Sequence, residues 1–209
     1  IGTYFLNAGP GFGGSCFKKD ILNLVYICNH YGLNEVAAYW QKVVDINNWQ
    51  KERISKLIVE KLFGTLSNKK IAILGYAFKA NTNDSRESPA IRICKELLNE
   101  GGHICIYDPQ VTQNQIHTDL NLPPKLEEPN AKHDNDDGFW TYSETAMQAI
   151  EKSDAIVILT EWEEFKLLNW KRVSSIMRSP SWIFDTRSII NINAAQKEGL
   201  KIWSVGYGN

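Results

Sequence analysis

The chain has 209 residues, with 23 lysines and arginines against 24 aspartates and glutamates, and 43% of its residues are hydrophobic. This length is sufficient for one large or two small folded domains, and the apolar fraction excludes general disorder. The formal net charge of -1 gives no electrostatic reason to expect binding to nucleic acid or to an anionic membrane. No run of about 18 apolar residues indicates a transmembrane helix.

Two regions precede any regular alternation of strands and helices. Residues 1–18 are rich in glycine and are predicted to form a loop. Residues 19–68 are predicted to be helical, with a first helix that begins at Asp20 and ends before Gly32. Asn34 is the predicted N-cap of a second helix, which continues to Gly64. Its apolar residues recur every three or four positions over about 30 residues, which favours a dimer interface over a helix buried within one subunit.

Residues 69–209 show short apolar segments that alternate with helical patterns. The predicted strands cover residues 71–75, 104–107, 155–159, 182–184 and 202–205, and the predicted helices cover 89–99, 145–151, 170–177 and 194–198. This alternation predicts an α/β fold with a doubly wound, mostly parallel, Rossmann-like sheet. Residues 109–138 have few apolar side chains and are predicted to form a long, mobile surface insertion.

The cysteines indicate a reducing compartment and one candidate nucleophile. Four cysteines without a Cys-x-x-Cys pair indicate neither a disulfide scaffold nor a zinc site, so we predict a cytoplasmic chain without a bound metal. Cys28, Cys94 and Cys105 lie in apolar patterns and are predicted to be buried. Cys16 instead follows a glycine-rich segment at a loop-to-helix junction, so it is the candidate nucleophile.

Residues 11–20, with the sequence GFGGSCFKKD, form the strongest local motif. Glycines allow backbone N–H groups to approach a ligand closely. A helix N-terminus and the adjacent Lys18 and Lys19 favour Cys16 as a nucleophilic thiolate. Asp20 could orient a lysine or a water molecule. The alternative is a flexible loop with a half-buried cysteine.

A second motif, residues 74–89, follows the first predicted strand and leads into a helix capped by Ser88. Ligands of doubly wound sheets bind at the carboxyl ends of the strands, where Lys79 and Arg86 would suit a phosphate or diphosphate and Phe78 could stack on a base. The Gly-x-Gly-x-x-Gly fingerprint of a dinucleotide site is absent from this motif. The alternative is a solvated surface loop.

Two further polar residues follow predicted strands. Arg187 could clamp a diphosphate, or it could form a salt bridge with Asp185 or another acid. Asp108 could bind a ribose, although a turn is the favoured interpretation.

These motifs, in this order and spacing, resemble the UDP-glucose 6-dehydrogenases of the UDP-glucose/GDP-mannose dehydrogenase family, most closely the eukaryotic type. The matching segments lie at residues 11–20, 75–79, 84–88, 160–162 and 184–187. The resemblance implies an active-site loop at 1–18, a central helical dimerisation segment at 19–68 and a C-terminal Rossmann-like UDP-sugar-binding domain at 69–209. The chain opens on Ile1 rather than methionine, so we do not expect a natural translation start. The resemblance implies an NAD-binding domain upstream of Ile1 and a fragment that is inactive alone.

The resemblance further implies an NAD-dependent, two-step oxidation of UDP-glucose to UDP-glucuronate, with Cys16 as the covalent nucleophile and Asp20 as the residue that activates water. The residues implied to line the sugar are Asn7, Ala8, Gly9, Pro10, Gly11, Phe12 and Gly13. Those implied to bind uridine diphosphate are Phe78, Lys79 and Arg187, and those implied to touch NAD are Cys16, Lys19 and Arg86. A homodimer, or a higher oligomer, is also implied. The alternatives are a sister enzyme acting on GDP-mannose or a UDP-N-acetylhexosamine, and a non-catalytic dimerisation or binding module.

Overall fold

The computed structural model describes residue 2, residues 6–125 and residues 138–207, in which two helices precede an alternating α/β region. The helices are α1 (Phe17–His30), α2 (Asn34–Lys61), α3 (Pro89–Asn99), α4 (Gln113–Leu120), α5 (Ala146–Ile150), α6 (Glu163–Lys166), α7 (Trp170–Ile176) and α8 (Ile192–Lys197). The strands are β1 (Lys70–Leu74), β2 (His103–Tyr107), β3 (Phe139–Tyr142), β4 (Ala155–Ile158), β5 (Trp182–Asp185) and β6 (Lys201–Ser204).

The strands of the described residues form one parallel sheet in the order β3-β2-β1-β4-β5-β6. The chain runs outward from β1 to β3 and then returns to β4 beside β1, so the strand order reverses between β1 and β4. In doubly wound sheets, this reversal opens a crevice at the carboxyl ends of the central strands, where ligands bind. The predicted Rossmann-like α/β fold is confirmed.

The central strands are apolar along their whole length because both faces of the sheet are covered. Every residue of β4, with the sequence AIVI, is buried, and so are the last four residues of β1. Such continuous apolar runs are typical of parallel sheets enclosed by helices.

Helix α2 joins the helical segment to the sheet region. Its C-terminal half packs into the core through Ile54 and Ile58, which are fully buried, and Leu62 continues this contact immediately after the helix. On α3, Arg92 forms ion pairs with Glu52 of α2 and with Glu96. The N-terminal part of α2 instead leaves large apolar side chains exposed. None of the helices that the structure describes is both long and apolar enough to cross a membrane.

Two predicted helix starts are wrong and one is confirmed. Helix α1 begins at Phe17 rather than Asp20, because the Cys16 carbonyl already accepts a helical hydrogen bond from the Asp20 N–H at 2.9 Å. Asn34 is the first residue of α2 and not its cap, since Leu33 occupies the cap position and no side chain caps the helix. Ser88 does cap α3, with its hydroxyl accepting a hydrogen bond from the Ala90 N–H at 3.2 Å.

The predicted surface insertion at 109–138 is partly wrong. Residues 113–120 form α4, which is capped by Thr112 and buries Ile116 and Leu120 on one face. Two apolar residues four positions apart are sufficient here because the helix packs against α3. The prediction missed β3 as well, although its Trp140 is completely buried. Residues 126–137 lie outside the described part of the chain.

Candidate functional site

Three segments that the sequence singled out meet at the carboxyl edge of the sheet. The glycine-rich loop at 9–14 lies against the loop after β1, where the Gly14 N–H donates a hydrogen bond to the Arg86 carbonyl at 2.8 Å. The turn after β5 approaches from the other side, so that a Cβ atom built on Gly9 would lie 3.3 Å from Arg187 Nη1. The tertiary structure therefore brings the loop before Cys16 together with two of the predicted diphosphate-binding segments.

The glycine-rich loop and the loop after β1 are packed too closely for larger side chains. A Cβ atom on Gly13 would stand 2.6 Å from the Glu87 carbonyl oxygen, and Gly14 packs directly on the Phe78 ring. Real Cβ atoms do not approach a backbone oxygen this closely, so position 13 requires glycine. The alternative of a flexible loop with a half-buried cysteine is therefore wrong: the loop is held in place, and Cys16 is exposed.

Cys16 occupies the N-cap position of α1, and its side chain makes no capping hydrogen bond. Arg86 forms a bidentate ion pair with Asp84, with N···O distances of 2.9 and 2.7 Å, and this pair raises the pKa of Arg86. The Arg86 backbone accepts the hydrogen bond from Gly14, two residues before Cys16, so the two predicted coenzyme contacts lie on adjoining segments.

The surroundings of Lys18 and Lys19 differ from the sequence prediction, in which both act on the Cys16 thiol. Lys18 donates hydrogen bonds to both carboxylate oxygens of Glu87, at 3.0 and 2.9 Å, so its charge is already paired with an acid. Lys19 and Asp20 are exposed on the first turn of α1. Among the described residues, no hydrogen bond or ion pair links the Lys19 or Asp20 side chain to the strand-end loops. Both remain accessible to a bound molecule.

Arg187 forms an ion pair, the alternative that the sequence left open, and its guanidinium is held by two backbone carbonyls. Its Nε donates to the Leu159 carbonyl at 2.8 Å, and its Nη2 donates to the Phe78 carbonyl at 3.2 Å. Its acidic partner is Glu161, with an Nε···Oε2 distance of 3.2 Å, and not Asp185. Arg187 therefore faces the predicted UDP segment from a fixed position. The Lys79 ammonium lies over the Phe78 ring, 5.4 Å from its centroid.

Asp185 builds the turn that carries Arg187. Its carboxylate accepts hydrogen bonds from the backbone N–H groups of Arg187, Ile189 and Ile190, at 3.0, 2.8 and 3.0 Å. Burial raises the pKa of Asp185, and these backbone hydrogen bonds act in the opposite direction.

Asp108 forms the predicted turn and is not available to a ribose. One carboxylate oxygen accepts hydrogen bonds from the N–H groups of Tyr76, Ala77 and the Trp162 indole, at 2.7, 3.0 and 3.1 Å. The other accepts from the N–H groups of Gln110 and Val111, both at 2.9 Å. In a dinucleotide-binding sheet, the N–H groups of the turn after β1 face the pyrophosphate. Here the N–H groups of Tyr76 and Ala77 already donate to Asp108, so these two groups are not free to bind a pyrophosphate.

Family models match the two parts of the chain in the order that the structure has them. The UDP binding domain of the UDP-glucose/GDP-mannose dehydrogenase family matches residues 72–192, and the central domain of the same family matches residues 1–49. The chain belongs to the UDP-glucose/GDP-mannose dehydrogenase family. The first match contains Phe78, Lys79, Arg86 and Arg187, and the second contains Cys16.

Relatives within this family are similar over nearly the whole chain. The chain is 47% identical to UDP-glucose 6-dehydrogenase 4 of Arabidopsis thaliana, covering 99% of this chain and 44% of that protein. It is 47% identical to UDP-glucose 6-dehydrogenase of Drosophila melanogaster, covering 99% of this chain and 42% of that protein. A solved UDP-glucose dehydrogenase from Pyrobaculum islandicum superposes with a TM-score of 0.72 at 25% identity, over 97% of this chain and 40% of that one. The chain thus spans less than half the length of these relatives.

The sequence interpretation missed three polar residues of α2 that contact the loops of the candidate site. Asn47 forms two hydrogen bonds with the backbone of Phe12, and Gln50 donates to the Gly9 carbonyl at 3.0 Å, so both hold the glycine-rich loop. Lys51 instead lies 3.5 Å from the Glu87 carbonyl in the loop after β1. A signal was present, because the apolar stripe of α2 is interrupted by polar residues at positions 47 and 51. Residues three and four positions apart on a helix share one face, so these three side chains face the two loops together.

Lys51 is only 5% exposed, and among the described residues no carboxylate lies within ion-pair distance of its ammonium. Burial lowers the pKa of Lys51, with the Glu87 charge acting in the opposite direction. The Lys51 side chain is therefore buried at an unfavourable desolvation energy.

We expect Lys51→Met to change how the stability of the protein depends on pH. Below the folded-state pKa, both states of wild type carry the proton and the desolvation penalty is fully present. As the pH rises toward 10.5, the ordinary lysine value, the folded state loses its proton first and the penalty decreases. The advantage of Lys51→Met over wild type in unfolding free energy should therefore shrink with rising pH.

Urea unfolding of both proteins from about pH 7 to about pH 10.5 measures this difference. Lys56→Met on the same helix, at a largely exposed lysine, is the matched control and should show no such trend. A difference between Lys51→Met and wild type that stays constant over this range would contradict the assignment.

Proposed function

We propose that this chain supplies the nucleophile and the UDP-sugar site of an NAD-dependent UDP-glucose 6-dehydrogenase, which oxidises UDP-glucose to UDP-glucuronate. The observation that carries the proposal is the exposed Cys16 at the start of α1, on a loop fixed between Arg86 and Arg187. The choice of UDP-glucose is supported by the 47% identity to relatives named UDP-glucose 6-dehydrogenase.

In this proposal, the UDP part lies along the loop after β1. The Phe78 ring stacks on the uracil, while Lys79 and Arg187 neutralise the diphosphate. The backbone of residues 7–13 lines the sugar and directs its primary alcohol toward Cys16. The region 69–209 would then be the UDP-sugar domain, 19–68 the helical dimerisation segment and 1–18 the active-site loop.

The proposed chemistry uses Cys16 as a covalent nucleophile. The first oxidation converts the primary alcohol to an aldehyde, and the Cys16 thiolate attacks the aldehyde carbon to form a C–S bond and a thiohemiacetal. The second oxidation of the same carbon gives a thioester. Asp20 accepts a proton as water adds to the thioester carbon, the C–S bond breaks, and its electron pair returns to sulfur.

NAD+, when bound, accepts the hydride that leaves the sugar carbon in each oxidation. Because Asp108 already accepts the N–H groups of the turn after β1, we propose that Lys19, Arg86 and the backbone near Cys16 touch a coenzyme held mainly by another domain of the full-length enzyme. Arg86 suits this role because its guanidinium is largely exposed on the edge of the site.

The runner-up is a sister dehydrogenase of the same family that oxidises GDP-mannose or a UDP-N-acetylhexosamine. The family model covers UDP-glucose and GDP-mannose dehydrogenases alike, so the nucleotide must be tested directly. A non-catalytic binding module is the third possibility, and the exposed Cys16 at a helix start argues against it. Free cysteines in the described residues are consistent with the cytoplasm, which we propose as the location.

Calorimetric titration of the chain with UDP tests the site itself. We expect binding, and we expect Lys79→Ala or Arg187→Ala to weaken it by about tenfold or more, because a charged hydrogen bond to phosphate is lost. Lys95→Ala, at an exposed lysine of α3, is the control and should bind as wild type does. GDP binding in place of UDP would favour the GDP-mannose enzyme, and no binding of either at about 1 mM would contradict the proposed site.

Cys16→Ser in the full-length enzyme tests the covalent step. We expect the formation of UDP-glucuronate to slow by about a thousandfold or more, because a serine hydroxyl is far less nucleophilic than a thiolate. Cys28→Ser, at a buried cysteine of α1, is the comparison variant and should retain turnover. Oxidation to the acid at the wild-type rate by Cys16→Ser would eliminate the nucleophile assignment.

We also propose a homodimer through α1 and α2, because Tyr26, Tyr39, Ile46 and Trp49 are large apolar residues that remain exposed on these helices. Light scattering should give twice the chain mass for wild type and a reduced mass for Ile46→Glu, which places a charge within the apolar surface. Leu167→Glu, at an exposed leucine far along the chain, should stay dimeric. A monomeric mass for wild type at high concentration would refute the dimer.

A further inference from the structure

Asn47 of α2 pairs with both polar groups of a single residue in the glycine-rich loop. Its Oδ1 accepts a hydrogen bond from the Phe12 N–H at 2.8 Å, and its Nδ2 donates to the Phe12 carbonyl at 3.1 Å. The Asn47 side chain is 7% exposed, so these bonds are shielded from water. An amide carries its donor and its acceptor on separate atoms, so it can pair with the N–H and the carbonyl of one residue at the same time.

The glycine-rich loop lies in direct contact with the Asn47 amide. Gly11 has a φ of +116°, and a Cβ atom there would lie 2.7 Å from Asn47 Oδ1 and 3.3 Å from Lys51 Cγ. The backbone of the loop is therefore seated directly on the surface of α2, with Asn47 beneath it.

A ring contact leads from the paired residue to the cysteine. The ring of Phe12 packs against the ring of Phe17 with centroids 5.1 Å apart. Phe17 is the first residue of α1 and directly follows Cys16. Displacement of the Phe12 backbone would thus shift Phe17 and, with it, the N-cap position from which the Cys16 sulfur is presented.

A second anchor lies on the other side of the cysteine loop. The Gly14 N–H donates to the Arg86 carbonyl at 2.8 Å, which ties residue 14 to the sheet region. Residues 12 and 14 are therefore held by different elements, α2 and the loop after β1. Releasing residue 12 would remove the α2 contact that is nearest in sequence to Cys16, while Gln50 would still hold Gly9 and Gly14 would still be tied to the sheet region.

We propose that Asn47 is a positioning residue that sets the orientation of the Cys16 thiol through Phe12 and Phe17. This role rests on the proposed function, in which Cys16 is the nucleophile. Asn47 touches neither substrate nor coenzyme, and it acts because its amide fixes the peptide on which the Phe12 ring is mounted.

Alkylation of Cys16 by iodoacetamide, followed as a function of pH, tests the proposal in the 209-residue chain. Cys16 is the exposed cysteine and the other three are buried, so the adduct on its peptide reports on one thiol. Iodoacetamide is uncharged, so a charge added to the protein does not repel it. The variants are Asn47→Asp, which keeps the shape but loses the donor, and Asn47→Leu, which loses both groups.

We expect both variants to alkylate Cys16 at a rate changed by about fivefold or more, with a shifted pH midpoint, because small displacements of a reacting group change rates strongly. Asn48→Asp, one position further along α2, adds the same charge without the pairing and should stay within about twofold of wild type. Circular dichroism checks that each variant is folded.

Phe12→Ala keeps the proposal testable if the Asn47 variants do not fold, since it removes the ring contact and leaves the amide pairing intact. It should change Cys16 alkylation in the same direction as Asn47→Leu, and the double variant should change it no further, because both act along one chain of contacts. Additive effects of the two changes would overturn the proposal. So would wild-type rates and pH profiles in folded Asn47 variants.

These outcomes are separate from those that test the proposed function. The alkylation assay contains neither UDP nor NAD, so failure of UDP binding leaves its result unaffected. Conversely, wild-type alkylation in a folded Asn47 variant would contradict the positioning role. The Cys16→Ser experiment would still test whether Cys16 is the nucleophile.

Discussion

The hydrogen bond from Gly14 to the Arg86 carbonyl is the contact on which the candidate site depends, because it joins the cysteine loop to the loop after β1 through their backbones. The Lys18–Glu87 ion pair joins the same two segments through side chains. The bond requires backbone to meet backbone, which is possible because position 13 carries no side chain and Gly14 lies flat on the Phe78 ring. The glycines of the motif therefore serve close packing between segments, and not flexibility.

Asp108 makes a second contact of this kind, because it joins loops at the carboxyl edge of the sheet. In a dinucleotide-binding fold, the turn after β1 presents free N–H groups to a pyrophosphate. Here the Asp108 carboxylate accepts the N–H groups of Tyr76 and Ala77 together with the Trp162 indole N–H. Because one buried carboxylate satisfies them, these groups are not free to bind a pyrophosphate. In the proposed function, the nucleotide lies along Phe78 and Arg187 instead.

Helix α2 serves both the core and the site. Ile54 and Ile58 anchor it in the core, while Asn47, Gln50 and Lys51, earlier on the helix, contact the loops of the candidate site. Its exposed apolar residues are close in sequence to those that hold the loop. Arg53, which lies 5.7 Å above the Trp49 ring, also donates to Gln50 at 3.3 Å, and Gln50 in turn bonds to Gly9. A chain of side-chain contacts therefore links the exposed surface of α2 to the glycine-rich loop of the candidate site.

The sequence by itself determined the class of fold and most of the candidate site. Alternating apolar runs and helical periods predicted the parallel sheet, because strands enclosed on both faces are apolar throughout, and Ser88 with Pro89 predicted the start of α3. Cys16, Phe78, Lys79, Arg86 and Arg187 were singled out from motifs, since a glycine-rich loop before a cysteine and cations after predicted strands indicate a ligand site. The short elements β3 and α4 were missed, because their stability comes from Trp140, Ile116 and Leu120 packing against distant parts of the chain.

Only the tertiary structure decided which residues support those that the motifs identified. Nothing local to Asn47 indicates that its amide pairs with a residue 35 positions away, or that the acidic partner of Arg187 is Glu161 and not the adjacent Asp185. The same holds for Asp108, whose carboxylate is used by N–H groups of two other loops. A local pattern can identify a residue that is suited to chemistry. The residues that hold it in place are defined by contacts between segments far apart in the chain, which form only when the chain folds.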